Sequence, residues 1–107
     1  MTPIRLLTVL LTIAALAGCV WVQPEPGSYR IRLVERHQVH HCERLGETTV
    51  SVRDRVAGVQ RSPSTIEEEL LTLARNSAYE LGGNRLVDEG RMGPGKGRYG
   101  IYRCEAD

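Results

Sequence analysis

The sequence lacks an excess of charge of either sign. Its 14 basic and 13 acidic side chains give a formal net charge of +1. Arg5 is the only charged residue before Cys19, so the part from Cys19 to Asp107 carries 13 basic and 13 acidic side chains and is formally neutral. A nucleic-acid binder relies on a basic surface that neutralises phosphates. The composition therefore argues against nucleic acid as a partner.

The sequence also lacks an apolar run long enough to cross a bilayer. Its longest run, residues 6–16, is interrupted only by Thr8 and Thr12. That is about half of the ~20 residues that a membrane-spanning helix needs. Arg5 precedes the run, and the small residues of Leu16-Ala17-Gly18-Cys19 end it. This order of a basic, an apolar and a small-residue region is typical of a secretory signal.

The cysteine that ends this segment resembles the cysteine of a bacterial lipobox. We therefore expect residues 1–18 to be a signal peptide, and Cys19 to become the first residue of the mature protein with lipid on its sulfur and amino group. Two or three acyl chains hold a protein durably on a membrane, whereas one does not. Val20 rather than aspartate follows Cys19, so the sorting rule of Gram-negative lipoproteins predicts the periplasmic face of the outer membrane.

Residues 19–28 are expected to be the lipidated cysteine and a short tether. Pro24, Pro26 and Gly27 disfavour both helix and sheet. The nine residues after the cysteine reach only about 30 Å when fully extended, so the domain lies close to the lipid surface. Trp21 has two interpretations of similar weight, which are a position at the headgroup boundary and packing against the domain.

The chain has only three cysteines, so it can form a single internal disulfide. If lipid occupies Cys19, then Cys42 and Cys104 are the remaining thiols, and the periplasm is oxidising. Residues 29–107 form a domain of 79 residues, a size at which a hydrophobic core alone gives marginal stability. We predict a structural disulfide between Cys42 and Cys104, with free or redox-active thiols as the alternative.

Residue patterns predict two strands in the first part of the domain. Tyr29 to Val34 alternates aromatic or aliphatic side chains with arginine, which is typical of a half-buried strand. Thr48 to Val52 is β-branched at four of five positions. The polar stretch 53–62 is predicted to be a solvated loop, and the alternative is that its arginines contact lipid phosphates. These arginines are Arg53, Arg55 and Arg61.

The clearest pattern predicts a helix that ends at Leu81. Ser64 and Glu67 have the spacing of a capping box, and Glu67 to Glu69 would lie in the first turn, where the helix dipole favours negative charge. Gly82 and Gly83 would end the helix because glycine readily adopts the left-handed conformation. One side of the helix carries a stripe that can pack on a sheet: Ile66, Leu70, Leu73, Ala74, Ser77, Ala78 and Leu81.

Two further strands are predicted at 84–88 and 99–104. The glycine-rich, basic stretch 90–98 between them is predicted to be a mobile hairpin loop. Anion binding is its alternative, although a phosphate-binding loop normally opens a helix. The order β-β-α-β-β predicts an α+β fold, with a small three- to four-stranded sheet and one main helix on one face.

The candidate metal ligands are His37, His40, His41 and Cys42, because imidazole and thiolate commonly bind zinc and copper. In an extended chain, His37 and His41 would point to one face and His40 and Cys42 to the other. We therefore interpret the histidines as solvent-exposed and expect no metal and no cofactor. The serines lack nucleophile-elbow spacing and no free thiolate is expected beside a base, so we expect no catalytic residue and no enzyme activity.

Three segments resemble a family of small proteobacterial lipoproteins. They are residues 42–47 (CERLGE), 74–84 (ARNSAYELGGN) and 97–104 (GRYGIYRC). The family is described only as a domain of unknown function and is similar in fold to the Rcs envelope-stress sensor lipoprotein. The resemblance covers about Arg36 to Cys104. It implies an α+β domain whose core has a cysteine at each end, joined in a disulfide, and it implies no established activity.

These observations together lead to two functional hypotheses. The first is a lipid-anchored periplasmic protein of the cell envelope, a non-catalytic interaction or envelope-maintenance module whose partner is another envelope protein. The second is a metal-binding or redox-responsive envelope-stress sensor domain. The Cys42 and Cys104 pair distinguishes them, because a structural bridge resists mild reductant and a sensing bridge opens near the redox potential of its compartment.

Overall fold

The computed structural model describes residues 23–105. The predicted signal peptide, Cys19 and Trp21 lie outside these residues. The described chain has two short 3-10 turns, six strands and one α-helix, in this order: a first turn Ser28–Arg30, β1 Arg32–Leu33, a second turn Arg36–Val39, β2 Glu43–Ser51, β3 Arg55–Val56, β4 Val59–Gln60, α1 Pro63–Leu81, β5 Arg85–Gly93 and β6 Lys96–Arg103. No helix in this range is long and apolar enough to cross a membrane.

A four-stranded sheet in the order β1-β5-β6-β2 organises the domain. β1 runs parallel to β5, and the other neighbours are antiparallel. α1 packs on one face of this sheet, while β3 and β4 form a separate two-stranded hairpin. The predicted α+β class and the single main helix on one face are confirmed.

The hydrophobic core lies between α1 and the sheet. The helix contributes the buried residues of its predicted stripe, and the sheet contributes aliphatic and tyrosine side chains from three strands: Ile66, Leu70, Ala74 and Ala78 pack against Val50, Leu86, Tyr99 and Ile101. Leu70, Leu86 and Ile101 are fully buried, and each such side chain stabilises the fold by about 1.5–3 kcal/mol. Leu81, expected in the stripe, is instead 53% exposed.

The two ends of α1 test the predicted caps. The N-cap is Ser62, whose hydroxyl accepts from the Thr65 N–H at 3.2 Å. The predicted cap at Ser64 is wrong by two residues, because Pro63 has the fixed φ that suits the first helical position. The first turn consequently contains no acidic residue. The predicted C-terminus is confirmed, with Gly82 in the left-handed conformation at φ 79°.

The predicted strand over Tyr29 to Val34 is mostly wrong. Gly27, at φ 88°, turns the chain into the 3-10 turn Ser28–Arg30, and only Arg32–Leu33 pairs with β5. Ile31 is buried as the alternation predicted, but Tyr29 is exposed. The alternation of residue types does not reveal how many residues of this segment pair with a strand that is distant in sequence, and here only two residues pair with the start of β5.

Two predicted loops are strands. Within 53–62, β3 and β4 form a hairpin through Ala57 and Gly58, whose positive φ values of 51° and 79° suit a tight two-residue turn. Within 90–98, β5 and β6 continue to a turn at Pro94 and Gly95. Gly90 and Gly93 lie at irregularities in the pairing of these strands, and only Gly95 lies in the turn.

The predicted disulfide between Cys42 and Cys104 is present, with an S–S distance of 2.04 Å. Cys42 precedes β2, Cys104 follows β6, and the neighbouring residues Glu43 and Arg103 are cross-strand partners. The bond therefore joins the two strands at one end of this antiparallel pair.

Replacement of both cysteines by serine is expected to lower the free energy of unfolding by about 4 kcal/mol, because the bridge closes a loop with a sequence separation of 62 residues. Urea unfolding followed by circular dichroism measures this loss. The matched control is the wild-type chain, reduced and alkylated, which should show a similar loss. Equal stability of the serine variant and the oxidised wild type would contradict the prediction.

An ion pair fastens the β3-β4 hairpin to α1. The Arg61 guanidinium donates to both carboxylate oxygens of Glu69, at 2.5 and 3.0 Å, and to the Arg53 carbonyl at 2.8 Å. Both side chains are largely buried. The hydrogen bond from Arg61 lowers the pKa of Glu69 below its usual value, against the opposing effect of desolvation.

Glu69→Gln is expected to destabilise the protein at neutral pH and to have a smaller effect in acid. A carboxyl whose pKa is lowered by folding stabilises the folded state above its unfolded pKa of about 4.3. This contribution disappears as the pH falls through the folded-state pKa. Urea unfolding of wild type and variant at neutral and acidic pH measures the difference. Glu68→Gln, at an exposed position on the same turn, is the control and should show little effect at either pH.

Candidate functional site

The second 3-10 turn and the disulfide, which contain the residues considered as metal ligands, lie on the face of the sheet opposite α1. Val39 packs there against Val87 and Tyr102, and the disulfide adjoins this small cluster. The cluster closes one end of the face only. Thr48 of β2 forms a hydrogen bond with Ser77 of the helix, and Val50 is in the core. Because side chains alternate along a strand, Glu47 and Thr49 point away from α1. We call the rest of the sheet surface opposite α1 the uncovered face, and define it by Arg44, Glu47, Thr49, Glu89 and Gly100.

The three candidate histidines lie beside the disulfide. The expected extended geometry of this segment is wrong, because Arg36–Val39 is a 3-10 turn whose start is fixed by Glu35 and Gln38. The Gln38 side chain accepts from the Glu35 N–H at 2.9 Å. The turn brings the histidines to one open cavity of about 440 Å³, which we call the histidine cavity: His37, His40, His41, Cys42, Arg85 and Cys104 line it.

The histidine cavity is polar, but it has little in common with a metal centre. Among residues 23–105, no three histidine, cysteine, aspartate or glutamate side chains group as metal ligands. Both sulfurs of the cavity are bonded to each other. Arg85 adds a positive charge to its wall and Glu105 adds a carboxylate, so the cavity carries charge of both signs.

Arg44 is the central residue of the uncovered face. Its Nη1 donates to the Tyr102 hydroxyl at 2.8 Å and to Glu89 at 3.3 Å, and its Nη2 pairs with Glu47 at 3.3 Å. The guanidinium also lies 5.4 Å from the centre of the Tyr102 ring, within the range of a cation–π interaction. Arg36 reaches Glu89 from the second 3-10 turn at 3.8 Å.

The hydrogen bond to the Tyr102 hydroxyl raises the pKa of Arg44 above its usual value, and the hydrogen bond and charge of Glu89 raise it further. Arg44 therefore carries its positive charge at every physiological pH. Its two carboxylate partners differ in exposure, because the side chain of Glu47 is 51% exposed and that of Glu89 only 12%. Glu47 is thus the partner that solvent or another molecule reaches first.

Gly100 makes room for this arrangement. A Cβ at Gly100 would lie 2.9 Å from Arg44 Nη1, 2.9 Å from Glu89 Oε2 and 3.0 Å from the Tyr102 ring. A side chain there would push the guanidinium off the sheet. In the sequence, Arg44 and Gly100 stand out only as members of the segments that carry the resemblance. The available signal was a glycine in the middle of a strand, which often marks a close approach.

Arg55 and the glycine-rich stretch lie at the opposite end of the sheet from the disulfide. The β3-β4 hairpin and the turn at Pro94 and Gly95 face each other across a second cavity of about 500 Å³. Arg55 lines this cavity beside the ion pair of Glu67 with Arg91. The arginines considered for lipid contact do not form one cluster, since Arg61 is held by Glu69.

No curated protein and no solved structure matches the chain. One protein family does, and its description is a domain of unknown function, DUF4156. The match extends over residues 22–104, which includes both bridged cysteines, the helix and the whole of the uncovered face. Because it covers far more than half of the sequence, the chain belongs to the DUF4156 family.

Proposed function

We propose that this protein is a lipid-anchored component of the bacterial cell envelope, held on the periplasmic face of the outer membrane through lipid on Cys19. In this proposal the domain is a non-catalytic interaction or envelope-maintenance module. Its partners are the membrane, through the lipid, and another envelope protein.

The use of the three cysteines is the observation that carries the proposal. Cys42 and Cys104 form the disulfide, which supports folding in an oxidising compartment. Cys19 is the remaining cysteine of the sequence, and it stands at the position where the N-terminal pattern predicts a lipobox. One odd cysteine after a short apolar segment is what a lipoprotein requires.

The uncovered face supports the interaction role. It presents a fixed positive charge on Arg44 whose carboxylate partner Glu47 is half exposed. A carboxylate of a partner protein can replace Glu47 on the guanidinium, while Glu89 and Tyr102 hold the guanidinium in place. Arginine suits this exchange because its planar fork of donors matches a carboxylate.

A redox-responsive sensor is the second candidate, favoured by one observation. The disulfide borders the open histidine cavity, so a thiol reagent can approach it from solvent. The sequence resemblance leads us to expect a fold similar to that of the Rcs stress-sensor lipoprotein, and this expectation points in the same direction. In this candidate, reduction would free Cys42 and Cys104 beside the histidines and allow a metal ion to bind there.

The intact mass of the protein purified from membranes tests the proposal. We expect a chain that begins at Cys19, carries acyl groups and gains two hydrogens only on reduction. Digestion should locate the acyl groups on Cys19. Free thiols on an acylated chain would favour the sensor candidate, and an unacylated chain would contradict the anchor.

Crosslinking from the uncovered face tests the interaction role. A photo-reactive residue at Thr49, which is exposed on the uncovered face, is expected to give a discrete protein adduct in intact cells. Gly100→Ala should abolish that adduct. The added methyl meets the ends of the Arg44 and Glu89 side chains at 2.9 Å and the edge of the Tyr102 ring at 3.0 Å, so circular dichroism is measured alongside to show that the variant is folded.

The matched control places the photo-reactive residue at Gln60, an exposed position in the β3-β4 hairpin. We expect no equivalent adduct from Gln60. An adduct at Thr49 that persists in the Gly100→Ala chain would show that the Arg44 arrangement does not recognise the partner.

A further inference from the structure

Asn76 of α1 fastens the start of the described chain to the helix. Its Nδ2 donates to the Gln23 carbonyl at 2.8 Å, and its Oδ1 accepts from the Glu25 N–H at 2.7 Å. One amide side chain therefore satisfies both a backbone acceptor and a backbone donor, as a neighbouring strand would. The described part of the expected tether lies on the domain instead of extending away from it.

The next residues continue this contact. Gly27 packs so closely on Tyr79 that a Cβ there would lie 3.2 Å from the ring. Ser28 is only 1% exposed. The path from Gln23 to Ser28 is thus fixed against the C-terminal half of α1.

This attachment limits where the lipid can be relative to the domain. Four peptide units join Cys19 to Gln23, and they span at most about 14 Å. The lipid must therefore lie near Asn76. Pro63, at the opposite end of α1 beside the β3-β4 hairpin, is 13 residues away, or about 20 Å along the helix axis.

The surface next to Asn76 has the composition of a membrane interface. Tyr29 is 72% exposed and Tyr79 is 48% exposed. Arg30 lies between them, with its guanidinium 5.6 Å from the Tyr29 ring and its Nε donating to the Tyr29 hydroxyl at 3.3 Å. Tyrosine rings concentrate at the level of lipid headgroups. Arginine buries its stem there and keeps its charge at the phosphates.

We propose that Tyr29, Arg30 and Tyr79 form the surface of the domain that rests on the phospholipid headgroups, with the Asn76 clamp setting this orientation. The proposal rests on the lipidation of Cys19 proposed above. It makes the tether an orienting element, and it directs the β3-β4 hairpin away from the membrane.

Fluorescence quenching in vesicles tests this orientation. Trp21→Phe removes the only tryptophan, and Tyr29→Trp then reports from the proposed surface. Val59→Trp in the same background is the matched control, because Val59 is 68% exposed in the hairpin. The lipidated chains are reconstituted in vesicles of phosphatidylethanolamine and phosphatidylglycerol, with and without a lipid that carries a nitroxide on its headgroup. We expect a loss of emission for Tyr29→Trp and none for Val59→Trp.

A third variant tests the clamp itself. Asn76→Asp keeps the shape of the side chain but removes the donor to the Gln23 carbonyl. Added to the Tyr29→Trp chain, it is expected to reduce the loss of emission toward the Val59→Trp value. An unchanged loss would show that Asn76 does not set the orientation.

The outcomes separate the two proposals. If the chain is acylated and floats with vesicles, but Tyr29→Trp and Val59→Trp lose emission equally or Tyr29→Trp loses none, the orientation is overturned and the anchor stands. If the wild-type chain carries no acyl group and does not float, the anchor is overturned and the orientation fails with it.

Discussion

The antiparallel pairing of β2 with β6, closed at one end by the Cys42–Cys104 disulfide, is the constraint on which the rest of the structure depends. β6 lies between β2 and β5, so its two ladders hold most of the sheet together. The covalent bond fixes the register of the outer strand at the end where Glu43 pairs with Arg103. With β2 in place, its residue Val50 closes one side of the core under α1. A small domain needs such a constraint because its core alone offers little surplus free energy.

The two faces of the sheet use the same strands for different purposes. Tyr99 and Ile101 of β6 face α1 and are buried in the hydrophobic core. On the opposite face of the sheet, the Arg44 side chain lies over the intervening Gly100. A substitution at Ile101 would therefore affect stability first, whereas one at Gly100 would first affect the position of Arg44. This separation lets the uncovered face carry a function without weakening the core.

The sequence predicted the features that depend on local patterns or on counting. The end of α1 at Gly82 follows from the conformational freedom of glycine, and the disulfide follows from the number of cysteines. The strand at Tyr29 to Val34 was wrong because its pairing partner is distant in sequence. The prediction of a loop at 90–98 was wrong because the sequence does not distinguish a glycine in an irregular strand from a glycine in a turn. The Arg44 arrangement could not be predicted, since it joins β2, β5 and β6 through one vacant Cβ position.

Ion pairs between neighbouring side chains account for part of the balanced charge of the chain. Arg61 is held by Glu69, Arg91 by Glu67, and Arg44 by Glu47 and Glu89. Paired charges produce weaker long-range fields than isolated ones, so these arginines contribute little attraction at a distance. Recognition by such a surface depends instead on short-range exchange of hydrogen bonds at places where one partner of a pair is accessible. Glu47 is such a partner, whereas Glu89 is nearly buried. In the proposed interaction role, the uncovered face would therefore select for the position of a carboxylate and not for the total charge of the molecule that presents it.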